Sequence, residues 1–169
     1  MGLLPHIENW TSSRSFSGEA VEKQTIERII DAGRRAPSAK NRQAWRFVVI
    51  DDREMIRRTM DIAYGQANVG EAGFIVALCT TNIDYRMPNG QLSYPIDLSF
   101  AASFMAIQAA EEGLGSCVLT TFREDDMKQL ITAPYSMRIV MLLLVGKPVG
   151  DFSKNERKPL KSVMSYNHW

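Results

Sequence analysis

Between residues 97 and 112 the chain carries Leu98, Ala101, Ala102, Met105, Ala106, Ala109 and Ala110, with few polar positions among them. Ala, Leu and Met are strong helix formers, so the segment reads as a helix. An ordinary surface helix shows one apolar stripe. This one is apolar on most sides, so other elements or a second copy of the chain have to cover it. Its small Ala side chains also let neighbours come close. Gly113-Leu-Gly115 ends it with the glycine that helix C-termini favour. A chain of 169 residues is long enough to wrap such a helix within one domain, spanning 1–169.

The covering elements are legible in part. Residues 74–80, Phe-Ile-Val-Ala-Leu-Cys-Thr, are apolar almost throughout, as a strand covered on both faces requires. Strands are also expected over 46–50, 116–121 and 138–145. A helix is expected over 21–34, where Val21, Ile26, Ile29, Ile30 and Gly33 recur at three- and four-residue spacing. Pro37 stops it. Further helices are expected over 53–63, capped by Asp51-Asp52, over 123–131, and briefly over 5–10. Residues 64–71 read as a loop or short helix. Residues 82–95, with the turn signal Pro88-Asn-Gly90, are the one stretch that looks like a lid. Helices and strands alternate irregularly, which predicts a single α+β domain with a mainly antiparallel or mixed sheet.

Several functions are disfavoured. Twenty basic and nineteen acidic residues leave a net charge of +1, with no general attraction to nucleic acid or anionic membranes. No apolar run approaches the roughly 20 residues of a membrane span, and the N-terminus is too short and too little apolar for a signal peptide. Cys79 and Cys117 each lie in an apolar run, as buried thiols of a reducing compartment do, and a cytoplasmic location is expected. His6 and His168 stand at opposite ends of the chain, which predicts no local metal site and no Ser-His-Asp triad. Gly113-Leu-Gly-Ser116 follows a helix instead of a strand, so it is not a dinucleotide fingerprint. No catalytic side chain stands out. What remains is a set of polar loops, which suits a bound cofactor better than side-chain catalysis.

Four pieces carry a family resemblance. They are Ser12-Ser-Arg-Ser-Phe16, the loop Pro37 to Phe47 with Ser38, Asn41, Gln43 and Trp45, the apolar helix running into Glu112-Gly-Leu-Gly-Ser-Cys-Val-Leu-Thr-Thr121, and Arg157-Lys-Pro-Leu160. In this order the set resembles the nitroreductase family of FMN-dependent oxidoreductases. The resemblance implies a nitroreductase-like α+β fold, with about four to five strands flanked by helices, and a homodimer with FMN at its interface. It implies that Ser12, with charge from Arg157 and Lys158, serves the phosphate, that Ser13 belongs to the same cofactor site, and that Arg14 lies along the flavin. Pro37, Ser38 and Asn41 would line the ring from across the interface, and Leu119, Thr120 and Thr121 would bring backbone amides and hydroxyls near its reactive face. NAD(P)H would reduce the flavin, and a small electron acceptor such as a nitroaromatic or quinone would reoxidise it. Reductive dehalogenation, or a flavin- or heme-binding module without turnover, are the alternatives. The family's paired arginines before the serine are replaced by Trp10 and Thr11, which predicts a weaker hold on the phosphate.

Overall fold

The computed structural model describes residues 2–150 and 156–169. Strands β1 (Trp45–Ile50), β2 (Phe74–Thr80), β3 (Gly115–Leu119) and β4 (Arg138–Gly146) form one sheet in the order β1-β2-β4-β3. Every neighbouring pair is antiparallel, so of the two arrangements left open by the sequence the antiparallel one is found. Helices α1 (Pro5–Glu8), α2 (Lys23–Arg34), α3 (Arg53–Ile62), α4 (Ala67–Gly70), α5 (Tyr94–Glu111) and α6 (Glu124–Leu130) surround it.

Strand alternation divides the core into two layers. Phe74, Val76 and Leu78 of β2 pack with Ile26 and Ile29 of α2 and Leu98 and Met105 of α5. Ile75, Ala77 and Cys79 turn the other way, onto Ile56 of α3 and Met127 of α6. All of β2 is buried, which explains why its sequence shows no polar alternation. In β4 a bulge interrupts the alternation. Leu78 stands opposite Met141 and Cys79 opposite Ile139, so Val140 is passed over, and Val140 and Met141 both end on the α5 side.

The helix that dominates the sequence lies across the sheet, packed on α2. Gly33 is needed at that crossing, because a Cβ there would stand 2.8 Å from Met105 Cγ and closer still to its methyl group. Among the described residues the opposite side of α5 is left partly uncovered: Phe100, Phe104 and Ile107 are 45%, 40% and 38% exposed. Helix α5 begins at Tyr94, three residues before the predicted start, because Pro95 occupies the first turn, where a missing N–H costs nothing. The lid stretch is correspondingly shorter. Around Gly90, in a left-handed conformation, it folds back through a bridge between Arg86 and Leu92.

Other boundaries shift slightly. Helix α1 stops at Glu8 instead of reaching residue 10, and β3 runs Gly115–Leu119, leaving Thr120 and Thr121 beyond it. Asp52 caps α3 as expected, its carboxylate accepting from Met55 N at 2.9 Å. Residues 64–71 include the single turn of α4. Among the described residues no helix is long and apolar enough to cross a membrane.

Candidate cofactor site

A groove of about 540 Å³ runs between α5 and the β3 edge of the sheet. Ala102 and Ala106, one turn apart on α5, face Val118 of β3 and Met141 of β4 across it. Strand parity brings Val118 there, since it pairs with Leu143, whose side chain is in the α5-side core. The bulge brings Met141. The two alanines keep the wall flat, as longer side chains at these positions would fill the space. Ser99 and Ser103 also line the groove, but each hydroxyl donates to a carbonyl four residues back, Pro95 O at 2.6 Å and Ser99 O at 2.8 Å. They lend the wall little outward donor capacity.

Trp10, His6 and Ile7 contribute to the lining from the N-terminal segment. That segment is held by His6 Nε2, 2.5 Å from Glu111 Oε2 near the end of α5. Arg157 reaches the same groove from the tail.

Residues 12–14 run alongside β3. Ser13 N donates to Ser116 O at 2.9 Å, and Ser13 is buried. Gly115 makes this approach possible, because a Cβ there would sit 2.8 Å from Ser13 Cβ and closer still to Ser13 Oγ. Ser12 is half-buried and Arg14 exposed. Burial pushes the Cys117 thiol up, and the Arg14 guanidinium offsets part of that, which puts Arg14 within electrostatic reach of β3. Cys79, deeper in the sheet, is pushed up to about 12 by burial, with a smaller push from the Glu124 charge. Neither thiol is a thiolate near neutral pH, and both are free.

The loop between α2 and β1 is held from several sides. Asp97, buried in the first turn of α5, accepts from Ala39 N at 2.9 Å. Ser38 Oγ accepts from Gln43 N at 3.0 Å, and Asn41 Oδ1 accepts from Gln43 Nε2 at 3.2 Å. Thr80 Oγ1 donates to Ala44 O at 2.6 Å. Within this frame Lys40, Asn41 and Gln43 all adopt positive φ, of 52°, 54° and 49°. Such conformations cost side-chain-bearing residues about 1–3 kcal/mol each and persist where their surroundings over-determine them, often at functional sites.

The sequence-predicted residues therefore fall into separate groups within one chain. Ser12, Ser13 and Arg14 lie along β3, and Arg157 lines the groove beside it. Pro37, Ser38 and Asn41 sit at the opposite, N-terminal end of α5 and do not line the groove. The Leu119 side chain points into the α3–α6 core, away from the groove. Thr120 and Thr121 are exposed, and Thr121 O accepts from Gln66 Nε2 at 3.3 Å, near the start of α4. Lys158 is exposed and does not line the groove. Sequence reading missed Val118, Met141, Ala102 and Ala106. Counting strand parity from Gly115 would have found Val118.

The lining suits a planar aromatic group bearing an anionic tail. Alanine methyls, Val118 and Met141 offer a flat apolar wall, Trp10 an aromatic face, and Arg157 and nearby Arg14 positive charge. The volume falls within the roughly 300–1,000 Å³ of small-molecule sites. Among the described residues no cluster of His, Cys, Asp or Glu could hold a metal ion.

Comparison with known proteins gives consistent relatives. The model of the nitroreductase family matches residues 7–81 and 63–147. A nitroreductase family protein from Clostridium difficile 630 has a TM-score of 0.86 and 27% identity, covering 100% of both chains. An NADH dehydrogenase of Thermus thermophilus is 25% identical over 184 aligned residues, 90% of each chain. An FMN reductase (NAD(P)H) of Bacillus subtilis 168 is 23% identical over 178, 95% of this chain and 72% of its own length.

Proposed function

This chain belongs to the nitroreductase family, and on that premise we propose that it is an NAD(P)H-dependent FMN oxidoreductase that works as a homodimer on a nitroaromatic, quinone or similar acceptor. The observation that carries the reading is the α5–β3 groove, where a flat apolar wall meets Arg157 with Arg14 close by. Relatives named as an NADH dehydrogenase and an FMN reductase support the reaction class.

When bound, FMN supplies the chemistry, accepting a hydride from NAD(P)H and passing two electrons to the acceptor. The chain's own residues bind and orient it. Arg14, Arg157 and Lys158 supply the positive charge that a phosphate and an electron-rich ring edge require, with Ser12 adding a hydroxyl. Ser13 contributes by holding that segment against β3. Ala102, Ala106, Val118 and Met141 exclude water from one face of the ring. Thr120 and Thr121 follow β3 at the end of this wall, and their hydroxyls stand in solvent reach. Leu119 acts through its backbone, since its side chain belongs to the core.

The homodimer rests on two observations. The stripe Phe100, Phe104 and Ile107 leaves an apolar face of α5 in water, and such a contiguous patch marks an interaction surface. Pro37, Ser38 and Asn41 also lie at the far end of α5 from Ser12 and Arg14. Two α5 helices packed antiparallel about a two-fold axis bring one chain's loop to the other chain's groove, completing the site from both. The free thiols accord with a reducing compartment such as the cytoplasm.

Trp10 in the groove favours a second reading, a flavin- or heme-binding module without turnover, because it places an indole where the resemblance calls for a cation. Steady-state oxidation of NADH and NADPH by the FMN-loaded protein, with menadione or a nitrofuran as acceptor, separates the two. Turnover dependent on FMN supports the oxidoreductase. Bound flavin without turnover supports the module.

A further inference from the structure

Many of this protein's arginines and lysines are answered by a carboxylate. Glu112 pairs with Arg28, Asp31 with Arg34 and Arg35, Glu54 with Arg57, and Glu124 with Lys128 and Arg138. Two cations at the Tyr85 ring, and Arg86 beside it in the chain, are not. Arg42 lies with Cζ 3.8 Å from the Tyr85 ring centroid, and Lys40 Nζ stands 5.8 Å from the same centroid. Arg86, the next residue, gives one Nη1 hydrogen bond to Gly90 O at 2.9 Å. None of the three forms an ion pair among the described residues, and Asp84 is the one carboxylate within residues 81–93.

We propose that Lys40, Arg42 and Arg86 form a phosphate-binding subsite that makes NADPH, rather than NADH, the preferred reductant. Stacking commits the flat face of the Arg42 guanidinium to the tyrosine ring and leaves its in-plane N–H donors for a ligand. That is the geometry in which arginine recognises phosphate. The left-handed backbone at residue 40 is fixed by the Asp97 and Ser38 contacts on either side, so the lysine is presented from a rigid loop. Three cations against Asp84 and the buried Asp97 still leave a local excess of positive charge, which attracts the more anionic of two otherwise identical nucleotides. NADPH differs from NADH by one phosphate, about two negative charges.

The inference rests on the function proposed above, which assigns Ser38 and Asn41 to the flavin ring. Lys40 and Arg42 belong to the same loop as those residues, which is what links the subsite to the ring.

Two measurements test it. In the first, calorimetry on the protein as purified compares adenosine 2′,5′-bisphosphate with adenosine 5′-monophosphate. The bisphosphate is expected to bind at least about tenfold more tightly, and Lys40→Gln/Arg42→Gln to abolish the difference. In the second, the NADPH-over-NADH ratio of kcat/KM in the FMN-loaded protein is expected to exceed about ten and to collapse toward one in that double variant. Arg86→Gln, which leaves the Tyr85 stack in place, should lower the ratio by itself. Equal binding of the two adenosine nucleotides by the parent, or a ratio that the variants leave unchanged, overturns the subsite. Loss of turnover with both reductants alongside a retained bisphosphate preference supports the subsite and counts against the oxidoreductase reading instead.

Discussion

Replacing Gly115 by alanine tests the link between the sheet and the segment proposed to hold the flavin. The new methyl carbon would lie 2.8 Å from Ser13 Cβ, 3.1 Å from Pro148 Cβ and closer still to Ser13 Oγ. A rotamer change can move the hydroxyl away, but Ser13 Cβ is fixed to the backbone. Ordinary contact therefore requires residues 12–14 to back off β3 by at least about half an ångström, straining the Ser13 N to Ser116 O bond. Overpacking of this kind costs about 1–3 kcal/mol, offset by about 0.5–1 kcal/mol from removing glycine from a strand. A net loss of about 1–2 kcal/mol lowers Tm by about 2–8 °C in a chain of this size. The same shift carries Ser12 and Arg14 off their positions. If Arg14 loses one charge-assisted contact, worth about 1.5–3 kcal/mol, FMN affinity falls about 10- to 100-fold. Thermal unfolding and fluorescence titration with FMN measure both effects. Adding Ser13→Gly removes the two clashing atoms and should restore most of the stability. A Gly115→Ala protein with parental Tm and parental FMN affinity would refute the reasoning.

Other consequences follow from single contacts. Asp97→Ala leaves the Ala39 amide without its buried acceptor and costs about 1.5–3 kcal/mol; proteolysis within residues 38–44 and exchange of the Ala39 amide should both rise by about tenfold or more, and an unchanged exchange rate would exclude the anchoring role. Cys79 has a folded-state pKa of about 12, above the ordinary 9.0. The unfolded chain therefore gives up this proton first, and the contribution to stability, fully present below pH about 9, is lost between about pH 9 and 12 at up to about 1.4 kcal/mol per pH unit. Cys79→Ala should flatten that part of the pH–stability curve, and alkylation of native Cys79 at neutral pH would show the burial to be wrong. With Trp10 and Thr11 in place of two arginines, protein purified without added FMN should be at best partly flavin-loaded. A fully yellow sample surviving long dialysis would contradict this.

How much of this was readable from the chain depends on the range of the interactions involved. Helix α2, the capped start of α3 and the buried β2 depend on local spacing, and the sequence displays each of them. The glycine turn after α5 and the Ser12 and Pro37 loops were legible as motifs for the same reason. The strand order was not, because β2 pairs with β4 across some sixty residues of intervening chain and nothing local encodes that neighbour. The groove wall was missed for a related reason. Val118 and Met141 are unremarkable apolar residues until parity in one strand and a bulge in the other turn both toward α5. Leu119 was placed near the ring for its backbone amide, and alternation, which sends its side chain into the opposite core, leaves that reading untouched. The early start of α5 was hidden by Pro95, which reads as a breaker unless it falls in a first turn.

Whether the α5–β3 groove holds a flavin that a pyridine nucleotide reduces is tested most directly by anaerobic mixing of the FMN-loaded protein with NADPH, followed at the visible flavin absorption band. The band should bleach at a rate that saturates with nucleotide and return when a quinone is added. Arg14→Ala should weaken loading about 10- to 100-fold and Ala102→Phe should abolish it, while the chain stays folded. Flavin that remains bound and oxidised in the presence of both NADPH and NADH, or loading untouched by a phenylalanine filling the groove, would contradict the assignment.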